Sequence, residues 1–333
     1  MKRILLSATL AAASPFALLG ADAPENPNRL SFGPRLGLNF KASFNNNAAF
    51  KSPGVAPGTV LPASAHTYDD GFVLVDASGN VGGVTTFWGY QNASQVVGGA
   101  MEYHAIQASR PASVNDNPQF GTDLIYQRVI GSLPIAVDGR WGLEAGFGYT
   151  KLDLRNKRAG IVPVTTDTFP LGGVLPPAPP YNGTFAGPGP VLGDTPVRTT
   201  TFASQSGQQK LSGGMFSLRV GPFAEWNLTP ELSLAASVGL TLAPTTVDYD
   251  FSETDTLASG ASFAATGHSS KSRLLCGPYV GATLRYDFNS RWGVYVGAQF
   301  QSLTSMNQSI GSRTSRLDPG ATVYGTAGLT WKF

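Results

Sequence analysis

Several stretches of this chain alternate apolar and polar residues over ten or more positions, and that period of two constrains the fold more than any other feature. From Ser31 to Phe44, Phe32, Pro34, Leu36, Leu38, Phe40, Ala42 and Phe44 share one parity; Arg35, Asn39, Lys41 and the four small residues Ser31, Gly33, Gly37 and Ser43 fill the other. From Arg273 to Asn289, Leu274, Cys276, Pro278, Val280, Ala282, Leu284, Tyr286 and Phe288 face one way. The last stretch sets Ala321, Val323, Ala327, Leu329, Trp331 and Phe333 against Thr322, Tyr324, Thr326, Gly328, Thr330 and Lys332. Successive side chains of a strand point to opposite faces, so each run is a strand with one apolar and one polar face. Similar patterns run through 141–154, 212–228, 232–242 and 292–302, and more weakly through 97–107 and 120–130.

These runs exceed the about 5–6 residues of an average soluble strand and match the about 9–11 residues of a tilted strand crossing a bilayer. Beyond the N-terminus no run of about 18 apolar residues occurs, as a helical span requires. Charged residues make up 13% of the chain, against about 25% in globular proteins. Aromatic residues gather where the connections are short: Phe32, Trp141, Trp226, Phe288, Trp292, Trp331 and Phe333. Rings at that position form interfacial girdles. The expectation is an all-β, transmembrane, antiparallel up-and-down β-barrel facing membrane lipid with its apolar rows.

Connection lengths orient it. Leu228–Glu231 and Phe288–Arg291 are tight turns and belong on the periplasmic side; 156–209, 251–271 and 305–319 are then extracellular loops. Counting gives about ten strands, near 31–44, 70–76 or 84–91, 97–108, 119–131, 140–155, 210–227, 231–250, 272–288, 291–304 and 320–333, with eight or twelve as alternatives.

Residues 1–21 have the layout of a secretory signal peptide: Lys2 and Arg3, a short apolar stretch, then small residues at Gly20 and Ala21. Residues 22–333 then form the barrel with its loops. Removing Lys2 and Arg3 from 23 basic against 21 acidic residues leaves a balanced chain, without the basic excess of a nucleic-acid binder. Cys276 is the single cysteine and falls on a lipid-facing row, so it reads as a small apolar residue.

The terminal Thr326-Ala327-Gly328-Leu329-Thr330-Trp331-Lys332-Phe333 resembles the β-signal of bacterial outer-membrane β-barrel proteins: a polar residue, a spaced glycine, and two aromatics at alternate positions. The resemblance implies residence in the outer membrane and recognition by its assembly machinery, with Thr326, Gly328, Trp331 and Phe333 as the signal.

The inward row carries Arg35, Glu102, Asp123, Arg140, Glu144, Arg219, Glu225, Arg285 and Asp287, besides Lys41, His104 and Arg273. Unpaired buried charge is costly, so in a narrow barrel these groups are expected to pair and fill the lumen. Glycines from Gly142 to Gly148 sit within an alternating strand, where an inward glycine makes room near the wall. The opposing reading is a narrow channel for ions or small solutes. A third is a hydrolase at the extracellular rim, where His66 and His268 share a region with Asp69, Asp70 and Asp255; no catalytic motif surrounds them. Asp248, Asp250, Glu253 and Asp255 lack the spacing of a calcium loop. The Pro- and Gly-rich 156–209 stretch is expected to be an extended surface loop, with a constriction or binding surface as the sharper alternative. The sequence thus points to a monomeric barrel without cofactor, metal or catalytic centre, in a structural or surface-interaction role.

Overall fold

A computed structural model of the chain describes residues 27–46, 65–74, 82–107, 110–115, 118–133, 138–183, 189–311 and 313–333. The signal-peptide segment, 1–21, lies outside them. Eight antiparallel strands close into a ring: β1 (Asn28–Leu38), β2 (Gln119–Ser132), β3 (Gly139–Pro170), β4 (Val197–Asn227), β5 (Leu232–Leu257), β6 (Ser262–Asp287), β7 (Trp292–Gln301) and β8 (Thr322–Lys332). Each pairs with its chain neighbour, and β1 joins β8 through Arg29 opposite Lys332 and Leu36 opposite Gly325. Closure leaves the membrane-crossing wall with no unpaired edge, which lipid demands of a spanning sheet.

The alternation sorts the two faces. Phe32, Leu143, Phe147, Leu218, Leu240, Val280, Val296 and Leu329 are exposed on the outside, with Cys276 among the outward residues. At the short-turn end, Trp292 stacks on Trp331, and Trp331 on Phe333, at centroid distances of 6.3 and 4.6 Å. Phe288 is also exposed there, while Trp141 and Trp226 are half-buried in the wall.

The ring has eight strands rather than ten. Of the expected second and third strands, the described residues 70–74, 84–91 and 97–107 do not enter it; 75, 76 and 108 lie outside the described residues. The chain leaves the wall at Asn39, whose φ of 63° is a left-handed conformation. Beyond that kink Phe40, Ala42 and Phe44 are fully buried instead of continuing the lipid-facing row. Alternation records only that one face is apolar; it does not distinguish lipid from a second layer of protein.

The 156–209 and 251–271 stretches are mostly strand rather than loop. β3 and β4 run for 32 and 31 residues, β5 and β6 for 26 each, two to three times what a crossing requires. Half of the wall therefore rises past the membrane as a tall curved sheet. A four-stranded sheet built from Lys41–Asn46, Ala112–Val114, Met306–Ile310 and Arg313–Asp318 packs against its concave face. Phe40, Phe44, Leu152, Leu211, Met215, Tyr249, Leu275 and Tyr324 belong to the shared core. Phe44 stacks on Tyr249 and Phe40 meets Tyr324 edge-on.

A second layer covers the edge of β3 at the end far from the short turns. Where β2 has ended, Ala100–Ile106 pairs with Val164–Pro170. Beside it a sheet of Ala65–Tyr68, Gly71–Leu74, Trp88–Tyr90 and Tyr181–Asn182 buries Tyr68, Trp88, Tyr90, Tyr103 and Phe169. The Pro-rich residues 171–183 and 189–196 lie on this layer: Trp88 Nε1 donates to the Pro190 carbonyl at 2.8 Å, and the Tyr90 hydroxyl to that of Pro177.

Candidate functional site: a charged lumen beneath a β-sheet cap

The inward row changes character along the strands. Toward the short-turn end it is charged. Glu225 on β4 accepts from Arg285 on β6 at 2.6 Å, from Arg140 on β3 at 3.3 Å, and from both terminal nitrogens of Arg29 on β1. One carboxylate thus gathers three guanidinium groups. Glu144 accepts from Gln127 at 2.6 Å and from the Tyr279 hydroxyl at 3.3 Å. Asp287 pairs with Lys332.

A second tier crosses the barrel above. Arg219 donates to both oxygens of Asp123 at 2.8 and 3.0 Å and also to Gln299. Arg35 stands 3.8 Å from Asp123, donates to Ser217 at 2.8 Å, and lies 3.4 Å from the Tyr324 ring centroid. Arg35, Asp123, Arg219, Glu225 and Arg285 are all at least 97% buried. A cation over an aromatic face gains more when desolvated.

The inward glycines make this tier fit. A Cβ at Gly148 would strike Arg35 Nη1, Ser217 and Asp123; one at Gly146 would strike the Arg219 guanidinium. Above Thr150 the inward row of β3 turns apolar with Leu152 and Leu154, which join the core beneath the 41–46 strand. Charge pairs thus occupy the lower lumen, and an apolar plug sits over them.

Seven of the nine predicted lumen charges lie in these two tiers, and Asp287 lies below them with Lys332. Glu102 does not: it sits on the Ala100–Ile106 strand outside the ring, 4.0 Å from His104 Nε2. His104 lies on that strand too, and Arg273 and Lys271 bond carbonyls of the 302–321 connection. Arg29 is absent from the expected inward row, because it falls two residues before the first alternating run. Arg313, which pairs with Glu253 at 3.0 Å in the cap, had no periodic signal around it.

In the cap, Asp167 joins the layers. It accepts two bonds from Arg198, both at 2.7 Å, and one from the Tyr68 hydroxyl at 2.7 Å. The Arg198 bonds hold its pKa below the usual range, against the opposing effect of burial. The acidic residues Asp248, Asp250, Glu253 and Asp255 are divided between faces. Glu253 and Asp255 are buried on the inner row, whereas Asp250 on the outer row bonds His268 Nδ1 at 2.7 Å. His66 and His268 do not meet Asp69 and Asp70; His104 does, with Nδ1 2.6 Å from Asp70 Oδ2. Among the described residues no group of three His, Cys, Asp or Glu could hold a metal ion.

Of the terminal residues, Thr326 and Gly328 face inward on β8, while Trp331 and Phe333 stack on the outside.

No family model and no curated protein sequence matches the chain. Among solved structures it is similar to Ail, the attachment invasion locus protein of Yersinia pestis in complex with the heparin analogue sucrose octasulfate. That likeness has 9% identity over 92% of this chain and 99% of the other, with a TM-score of 0.27. It is similar to the toluene transporter TodX of P. putida at 8% identity over 93% and 91%, TM-score 0.20. A Pseudomonas aeruginosa FadL homologue follows at 10% over the same shares, TM-score 0.19. Likenesses this distant do not bear on role, and the fold stands on ring closure and the two-faced wall alone.

Proposed function

We propose that the protein is an outer-membrane β-barrel whose barrel is a sealed anchor and whose working surface is the extracellular cap. The observation that carries this reading is the layered filling of the lumen, the Arg35–Asp123–Arg219 tier beneath the apolar core around Phe40 and Tyr324. Small barrels fill with side chains, whereas water-filled porins have about 16–18 strands. With solute passage blocked, the investment in strands of 26 to 32 residues points outward, to a rigid β-structure raised above the lipid for contact with other molecules. The short-turn end is periplasmic and the tall hairpins extracellular, following loop length. The resemblance of Thr326, Gly328, Trp331 and Phe333 to a β-signal supports delivery by the outer-membrane assembly machinery.

Liposome swelling tests the sealed anchor. Vesicles carrying the refolded barrel should take up small sugars no faster than empty ones. Swelling that depends on protein dose and falls with sugar size would overturn the reading in favour of a channel.

A further inference from the structure

The extracellular cap contains a cavity of about 340 Å³, at the small end of ligand pockets. Asp69, Asp70 and His104 form one wall, and Ser262 and Phe263, at the tip of the β5–β6 hairpin, another. Among the described residues lining it there is no lysine or arginine.

The bonding on the acidic wall is uneven. Asp70 is fully used: Oδ1 accepts from the His104 backbone N–H at 2.8 Å, and Oδ2 faces His104 Nδ1 at 2.6 Å. Asp69 Oδ2 accepts from the Ile106 N–H at 2.6 Å. Its Oδ1 is buried with no donor, although the residue is only 2% exposed. A buried acceptor without a donor is a cost that folded proteins rarely leave standing.

We infer that this cavity binds an organic cation, a primary ammonium or guanidinium group, with the Asp69 carboxylate as its partner. Such a group brings the missing donor and the missing positive charge together, and a charge-assisted bond to a carboxylate is stronger than a neutral one. A hard metal ion fits poorly, because it takes about six to eight oxygens and both Asp70 oxygens are committed to His104. An anion would meet carboxylates without a compensating lysine or arginine. Phe263 and Ala261 offer apolar surface for an aliphatic stem. The inference concerns the cap alone and stands whether or not the barrel conducts.

The test is calorimetric titration at pH 8, where the Asp69 carboxyl is ionised, of the refolded full-length barrel in detergent micelles with spermidine as the probe, and with sucrose and citrate as neutral and anionic controls. Saturable spermidine binding is expected, at least tenfold weaker in Asp69→Asn, while Asp248→Asn on the outer face leaves it unchanged. Ser262→Trp should block the cavity as well. Ser262 is exposed at the hairpin tip, so this variant decides the matter if Asp69→Asn fails to fold. Absence of saturable spermidine binding would overturn the inference. So would equal binding by Asp69→Asn or Ser262→Trp, an equal loss in Asp248→Asn, or equal binding of sucrose or citrate.

Discussion

Arg285 Nη1 lies 2.6 Å from Glu225 Oε2, and these two residues, 60 apart in the chain, meet across the lumen from strands that are not neighbours in the wall. With Arg29 and Arg140 on the same carboxylate, Glu225 is the point at which β1, β3, β4 and β6 are tied together. Glu225→Ala would leave three guanidinium groups around an empty place. Removing one partner of a buried pair costs about 3–5 kcal/mol, and a loss in that range is expected in reversible urea unfolding of the refolded barrel. Arg140→Ala, at the half-exposed end of the cluster, should cost much less. Equal costs would mean that the three arginines do not depend on Glu225.

Gly148 faces Arg35, so Gly148→Ala is predicted to be destabilising by overpacking, about 1–3 kcal/mol. The double variant Gly148→Ala, Arg35→Ala should recover part of the loss, because the colliding guanidinium is gone. A double-mutant cycle in urea reads this directly. Additive losses would show that the glycine is not there to admit Arg35.

Phe32 and Phe40 share a parity in the sequence and separate in the fold: Phe32 is 59% exposed on the outer wall, Phe40 completely buried under the cap. Phe40→Ala should cost about 3–5 kcal/mol, as for other buried aromatics, and Phe32→Ala markedly less. Similar losses would place Phe40 in lipid, on an unbroken first strand.

That pair also shows what was legible. The wall was: a lipid face imposes strict alternation, so the eight ring strands each appear in the sequence, as do the inward charges from Arg35 to Arg285. What lies above the membrane was not. The 97–108 stretch alternates because Met101 and Tyr103 pack on the aromatic layer, and a protein-covered face leaves the same trace as a lipid-covered one. In β3 and β4 the pattern between Arg155 and Val197 is broken by polar residues on both faces, since water bathes one side, and by the Pro-rich turn. The Asp70–His104 contact joins residues 34 apart across two layers, which no periodicity announces. The Asn39 kink is one residue with a left-handed φ inside an otherwise regular run.

Burial pushes the Asp69 carboxyl up to about 7, with Asp70 and Asp255 adding to the rise while the Ile106 N–H and His104 oppose it; burial likewise takes Asp255 up to about 6. A carboxyl whose folded pKa is raised is more stable protonated. Its contribution is therefore complete below its ordinary pKa of 3.8 and is lost as pH rises through the raised value. The cap should loosen between pH 4 and 7 while the barrel wall does not. Hydrogen exchange corrected for intrinsic rates should show protection of 65–74 and 100–107 falling over that interval, with β7 and β8 unchanged. Protection that increases with pH in the cap would contradict the assignment.

The sealed lumen is the central claim, and single-channel recording in a planar bilayer tests it most directly. The refolded barrel should insert and remain silent at moderate voltage, and a variant lacking both the Arg35 and Arg219 side chains should pass more current than the parent. Steady stepwise openings of the unaltered protein, with an ion preference shifted by Arg35→Ala, would show that the charge tiers line a channel instead of closing one.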